Sequence, residues 1–122
     1  MRWKRDIARN AILCGMLRIG SIVWQASDNA RAARFWSEAL GYAQGRNPDF
    51  LFDPGGNGVR LHLDTTDRTH LDLWTDSAEE RDAEVERLIS LGATRVDWTY
   101  PEDADFVVLT DTEGNLFCVI GS

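Results

Sequence analysis

The 122-residue sequence has only two cysteines, three prolines and no apolar run long enough to cross a membrane. Cys14 and Cys118 cannot build the disulfide framework of a small secreted domain, so we expect a reduced thiol at Cys118 and a cytoplasmic protein. The segment AILCG, which follows four basic residues, fits neither a secretion signal nor a membrane span. A hydrophobic content of 43%, with five Trp and five Phe, predicts one packed domain.

The sequence also lacks an excess of positive charge. Its net charge is -7, and because residues 1–15 carry +3, the remaining residues 16–122 carry -10. A domain with this much negative charge binds nucleic acid or an anionic membrane poorly, so we predict neither as a partner. We interpret residues 1–15 as an N-terminal extension, either a solvated tail or a short helix, and residues 16–122 as the domain. A basic arm, or an extended or alternative start, remains the other interpretation of the extension.

What the sequence does contain is an internal repeat. Residues 21–58 and 70–115 each run from a strand through a helix to Leu-Gly, two further strands and an Asp-x-x-Gly turn. The Leu-Gly steps end at Gly41 and Gly92, 51 residues apart, and the turns begin at Asp53 and Asp111, 58 residues apart. A repeat of this length indicates one supersecondary unit used twice, with a shared core. We assign module one to residues 16–66 and module two to residues 67–122.

Each module is predicted to have the order β-α-β-β-β. The first helix should run from Asn29 to Leu40, because Asp28 is a favoured N-cap residue and Gly41 suits a left-handed C-cap. Ser77 should cap the second helix, which Gly92 ends. The best-defined strands are predicted at 17–25, 59–65, 69–75, 94–100, 106–111 and 116–121. We therefore predict an α+β fold, a curved mixed sheet of eight strands around a cavity with the helices on its outer face.

Alternation along two of these strands creates a polar face. It places Arg60, His62 and Asp64 opposite the apolar Leu61 and Leu63.

In the next strand, His70, Asp72 and Trp74 alternate with Leu71 and Leu73, which we expect on the packing face. Polar groups that converge in a concavity mark binding sites, so this face is the predicted ligand site. Trp24 and Trp36 lie on apolar faces by periodicity and are expected in the core.

The motifs in this order resemble the glyoxalase/bleomycin-resistance/dioxygenase superfamily, also called vicinal oxygen chelate proteins. The resemblance covers about residues 17–121 and rests on SDNARAARFWSEALGY, on HLDL at the start of the second copy, and on DTEGN before the last strand. It implies a divalent metal held by a His on the first strand, a His opening the second copy and a Glu on the last strand. Those positions are Ser21, His70 and Cys118 here, and only His70 keeps the expected ligand type.

Serine is a poor ligand for the superfamily's usual metals, so we expect a degenerate site without a metal or other cofactor. The alternative is zinc held by His62, His70 and Cys118 with one open position. In the first case Cys118 is a buried, inert thiol.

The sequence therefore favours a cytoplasmic protein of the glyoxalase-like type that binds a small molecule. Its predicted ligand-binding residues are Ser21, Arg60, His62, His70, Asp72, Trp74 and Cys118, and no residue is assigned a catalytic role. The alternative is a metal-dependent lyase, isomerase or dioxygenase-like enzyme acting on a substrate with vicinal oxygens. Superfamily members often pair, and apolar residues such as Trp3, Ile7 and Trp98 would suit a homodimer contact.

Overall fold

The computed structural model describes residues 17–122, so the predicted N-terminal extension and Cys14 lie outside the described residues. Within this range the chain forms two helices and a mixed sheet of eight strands, which confirms the α+β class. The helices are α1 (Asn29–Leu40) and α2 (Ala78–Ser90). The strands are β1 (Arg18–Gln25), β2 (Ala43–Gln44), β3 (Phe50–Phe52), β4 (Arg60–Asp64), β5 (His70–Trp74), β6 (Thr94–Arg95), β7 (Phe106–Thr110) and β8 (Leu116–Ile120).

Two compact units make up the described chain. The first unit is Ile19–Asp72, and it holds nearly all of β1, then α1, β2, β3, β4 and the start of β5. The second unit is Leu73–Ser122 together with Leu17 and Arg18, and it holds the end of β5, then α2, β6, β7 and β8.

In the first unit the strands follow the order β2-β3-β4-β1. β4 pairs with β1 in parallel and with β3 antiparallel. α1 begins where predicted, because the Asp28 side chain accepts a hydrogen bond from the Arg31 backbone N–H, and it ends at Gly41, whose φ of 72° is left-handed. The core of this unit lies between α1 and the sheet, and its buried residues are Ala33, Leu51, Leu61 and Leu63.

The second unit is antiparallel from β8 through β7 to β6. The Ser77 side chain accepts a hydrogen bond from the Glu80 backbone N–H and so begins α2. Val85 on α2 packs with Leu109 of β7 and Val119 of β8 to form a separate buried cluster. Both predicted helix starts are therefore confirmed, each by a side-chain cap.

The two Asp turns have the same hydrogen-bond pattern. Asp53 accepts from the backbone N–H groups of Gly55 and Asn57, and Asp111 accepts from those of Glu113 and Asn115. A carboxylate that satisfies the N–H groups two and four residues later closes a tight loop before the next strand. The structure thus confirms the internal repeat at the level of its turns.

One strand prediction was wrong in length. Residues 94–100 were expected to be extended and paired, but β6 covers only Thr94–Arg95. Pro101 cannot donate a backbone hydrogen bond, and the Val108 backbone N–H is taken by the Tyr100 hydroxyl at 2.8 Å. The Tyr100 side chain therefore takes the β7 backbone N–H that a longer β6 strand would have bonded.

Two apolar residues expected in the core are exposed instead. Trp24 is 40% exposed, and it meets Trp36 edge to face with ring centroids 6.0 Å apart. Leu71 on β5 is 38% exposed. In the first unit α1 packs mainly against β4 and β2, so Leu71 on β5 lies outside the area that it mainly covers, and Trp24 near the end of β1 is covered in part by Trp36.

Candidate functional site

The polar face predicted from alternation lies in the first unit, where strand register brings its residues together. The parallel pairing of β1 with β4 places Ser21 opposite Arg60. The antiparallel pairing of β3 with β4 places Phe50 opposite His62. Because Arg60 and His62 are two residues apart on one strand, their side chains share a face.

Ser21 and Arg60 form the most buried polar contact of this face. Ser21 is fully buried, and its Oγ accepts a hydrogen bond from Arg60 Nε at 2.7 Å. The Arg60 guanidinium also lies over the Phe50 ring, 4.3 Å from its centroid. Burial lowers the pKa of Arg60 and the nearby Asp72 carboxylate raises it, but an arginine stays charged at physiological pH. The face therefore carries a permanent positive charge, and contacts with Ser21 and Phe50 position the guanidinium group.

Phe50 is the residue of this face that sequence reasoning missed. Its ring stacks on His62, with centroids 4.2 Å apart and planes 22° from parallel. The neighbouring Leu51 is fully buried in the core, so Phe50 must point to the opposite face. If β3 and β4 are treated as a hairpin closed by the DPGGNG loop, Leu51 pairs with Leu61 and Phe50 with His62. This pairing would have identified Phe50 from the sequence.

His70 and Asp72 form a second polar pair at the start of β5. Their side chains are 10% and 16% exposed, and His70 Nε2 lies 3.2 Å from Asp72 Oδ1. His70 Nδ1 lies 2.7 Å from the backbone oxygen of Arg68. A carbonyl oxygen can only accept, so Nδ1 donates to it, and the contact of Nε2 with Asp72 is a hydrogen bond when a proton lies between the two groups. The pair can therefore share one exchangeable proton.

Asp72 interacts electrostatically with the other side of the face. Burial raises the pKa of the Asp72 carboxyl above its ordinary value, and the charges of His70 and His62 act in the opposite direction. Asp72 in turn favours the charged form of Arg60. Arg60, His62, His70 and Asp72 are therefore one electrostatic cluster.

The raised pKa of Asp72 predicts the pH dependence of stability. The folded protein binds a proton at Asp72 more tightly than the unfolded chain does, so this group makes stability fall as pH rises from the unfolded pKa of 3.8 through the folded one. The free energy of unfolding of the wild type, minus that of Asp72→Asn, should decrease across this interval. Urea unfolding at several values between about pH 3 and pH 7 measures it.

Asp111→Asn is the matched control, because backbone and side-chain hydrogen bonds from Asn115 lower the pKa of Asp111. Its stabilising contribution is lost as pH falls, so the difference should have the opposite sign. The same sign at both positions would contradict the interpretation of Asp72.

Three further residues of the sequence-based prediction are Asp64 on the polar face and the predicted ligand-binding residues Trp74 and Cys118. Asp64 ends β4, where its side chain binds the backbone N–H groups of Thr66 and Asp67, which gives it a local structural role. Trp74 and Cys118 belong to the second unit. The Arg18 guanidinium lies 5.9 Å from the centre of the Trp74 ring, and Cys118 is a half-buried thiol outside any disulfide of the described residues. Their part in ligand binding stays a prediction.

The chemistry of the donors tests whether the superfamily's metal fits the first unit. His70 and Asp72 can each offer one ligand atom. Ser21, however, stands where the resemblance implies a histidine, and its hydroxyl binds a guanidinium. A metal ion at that position would face the Arg60 charge, so the donors of the first unit do not fit the superfamily's usual metal site.

Comparison with known proteins identifies the family of this fold. The family model described as glyoxalase-like domain matches residues 21–120. None of the curated proteins matches the chain. Within the described residues, no helix has the length and apolar character needed to cross a bilayer.

Solved structures with the same fold include three with little sequence identity. An NAD-dependent benzaldehyde dehydrogenase from Legionella pneumophila has 14% identity and a TM-score of 0.63, with 83% of this chain and 96% of that chain covered. A hypothetical protein from Bacillus halodurans has 14% identity and a TM-score of 0.55, with 88% and 95% covered.

A variant of homoprotocatechuate 2,3-dioxygenase from B. fuscum has 15% identity and a TM-score of 0.57, with 88% of this chain but only 33% of that chain covered. At these identities the likeness concerns the fold alone. The family model, in contrast, matches residues 21–120, a range that includes both Asp turns. The chain belongs to the glyoxalase-like domain family of the glyoxalase/bleomycin-resistance/dioxygenase superfamily.

Proposed function

We propose that this protein binds a small molecule on the polar face of its first unit, without the metal that the superfamily usually holds there. The observation that carries the proposal is the contact between Arg60 Nε and the buried Ser21 Oγ. The resemblance implies a metal-ligating histidine at position 21. The residue there is Ser21, and its hydroxyl contacts the permanently charged Arg60.

Electrostatics separate a metal from an organic ligand at this face. Two unit charges 4 Å apart near a protein surface interact by about 4 kcal/mol, and a divalent ion roughly doubles that repulsion. A serine hydroxyl is too weak a ligand to offset such a penalty. The same positive charge attracts an anionic or strongly polar ligand, so Arg60 changes the kind of molecule that the face favours.

His70 and Asp72 give this face a second capacity, since their contact allows them to share one proton. Such a pair can donate a hydrogen bond to a ligand oxygen or accept one from a ligand hydroxyl, depending on where the proton lies. The buried hydroxyl of this face, Ser21 Oγ, accepts a hydrogen bond from Arg60 and so has a cation beside it in place of a base. We therefore propose binding and orientation, and we assign no catalytic step.

The same pair also favours a second candidate, a metal-dependent lyase, isomerase or dioxygenase-like enzyme acting on a substrate with vicinal oxygens. His70 and Asp72 are two ligand types that divalent metals accept. In this case His62 or Cys118 would complete the site, and a thiolate with imidazoles would favour zinc. A homodimer in the cytoplasm fits both candidates and belongs to the same proposal.

Metal analysis separates the two candidates. The purified protein is incubated with zinc, nickel, manganese or iron(II), dialysed and measured by elemental analysis, beside His70→Ala and the exposed control Asp76→Ala. We expect no stoichiometric metal in any of the three proteins. One equivalent held by the wild type and by Asp76→Ala, but lost in His70→Ala, would contradict the proposal and support the enzyme.

A further inference from the structure

We propose that the ligand of this face is a planar molecule with a single carboxylate, which Arg60 binds while Phe50 and His62 pack against its plane. This inference rests on the proposed function and specifies its ligand class. It follows from the orientation of one guanidinium, from the charges around it and from the flat groups beside it.

The guanidinium of Arg60 is oriented before any ligand binds. Its Nε–H is directed at Ser21 Oγ, and its Cζ lies 4.3 Å from the centre of the Phe50 ring. Guanidinium groups recognise carboxylates through two parallel N–H···O bonds, and they do so best when the fork is held in one orientation. Ser21 is thus a positioning residue, and Arg60 supplies the charge.

The surrounding charges favour a monoanion. Asp72 lies near enough to Arg60 to act on its charge, and it would repel the second negative charge of a dianion such as phosphate. The protein as a whole has a net charge of -7, which also opposes multiply charged anions. A guanidinium group suits the geometry of a carboxylate, whereas phosphate groups are often bound by clusters of basic or backbone N–H groups.

The flat groups favour a conjugated or aromatic ligand body. The Arg60 guanidinium and the His62 ring both lie against Phe50, at 4.3 Å and 4.2 Å between centres. Aromatic and guanidinium planes gain by stacking, and a planar ligand extends such an arrangement without ordering flexible side chains. Phe50 thereby becomes the residue expected to select ligand shape.

Calorimetric titration tests the proposal with 2-hydroxybenzoate as the planar monoanionic probe. The neutral 2-hydroxybenzamide and inorganic phosphate serve as comparison ligands. In the wild type we expect 2-hydroxybenzoate to bind at least about tenfold more tightly than either, because hydrogen bonds to charged groups are the strong ones. This comparison needs no variant, so it is independent of any effect of mutation on folding.

Arg60→Gln should weaken binding of 2-hydroxybenzoate about 10- to 100-fold, and Phe50→Leu about 3- to 10-fold. The matched control Arg46→Gln makes the same charge change in an exposed turn of the first unit and should leave the affinity unchanged. Circular dichroism verifies that each variant is folded. A loss of affinity in Arg46→Gln equal to that in Arg60→Gln would overturn the assignment of Arg60.

Failure of this inference differs from failure of the proposed function. If the amide or phosphate binds as tightly as 2-hydroxybenzoate, and NMR shifts place it at Arg60 and His62, the face binds small molecules but the carboxylate inference is overturned. If none of the three ligands, nor any of a mixed set of neutral and cationic compounds, shifts the signals of these residues, both are overturned.

Discussion

Replacing Leu51 with alanine should lower the free energy of unfolding by about 2–5 kcal/mol, the range for large-to-small changes in a closed core. Leu51 is fully buried on β3 and packs with Ala33, Leu61 and Leu63. It also lies between the two residues whose side chains point the other way, Phe50 and Phe52. Urea unfolding of the purified variant, analysed by linear extrapolation, measures the loss.

Phe52→Ala is the control on the same strand. Phe52 is 42% exposed and lies one residue away, so truncating it should cost less than about 1 kcal/mol although the side chain is larger. If Phe52→Ala destabilised the protein as much as Leu51→Ala, the register of β3 against β4 would be wrong. The candidate site would then lose Phe50, because that register is what places Phe50 opposite His62.

Helix positions could be predicted from the sequence because their signals are local. The Asp28 and Ser77 side chains each bind a backbone N–H three residues later, and Gly41 adopts the left-handed conformation at the end of α1. The Asp turns are equally local, since each carboxylate binds backbone groups within four residues. A contact within one turn of chain depends on few residues, and short motifs encode it well.

The polar face could be predicted only in part. Alternation correctly grouped Arg60 with His62, and His70 with Asp72, because period two along a strand is also a local rule. The pairing of Ser21 with Arg60 joins residues 39 apart and depends on which strand lies beside β1. Phe50 was missed for the same reason, since nothing in FLF itself reveals which ring faces a histidine.

Burial of large apolar residues was the least predictable feature. Periodicity placed Trp24 and Leu71 on packing faces, yet 40% of one and 38% of the other are exposed. A strand face becomes core only where another layer covers it, and α1 packs mainly against β4 and β2. The topology of the whole unit decides which strand a helix covers. Alternation within one strand carries no information about that choice.

The proton that His70 and Asp72 share leads to a prediction about stability that a neutral contact would not give. Asp72 is a mostly buried carboxylate whose pKa is raised by that burial and lowered by the charge of His70. Removing the histidine leaves the carboxylate without this partner, so ionising it in the folded state becomes more costly. Removing the carboxylate as well should relieve that cost, because no charge is then left behind.

We therefore expect His70→Ala to lower the free energy of unfolding by about 1–3 kcal/mol at neutral pH, and His70→Ala with Asp72→Asn to be less destabilised than the sum of the two single changes. The loss in His70→Ala should shrink as pH falls and Asp72 becomes protonated in both states. Urea unfolding of the four proteins at neutral and acidic pH gives the full double-mutant cycle. Strict additivity at both pH values would show that the two side chains hold no common proton, and the proposed binding face would lose the shared proton that this pair could exchange with a ligand.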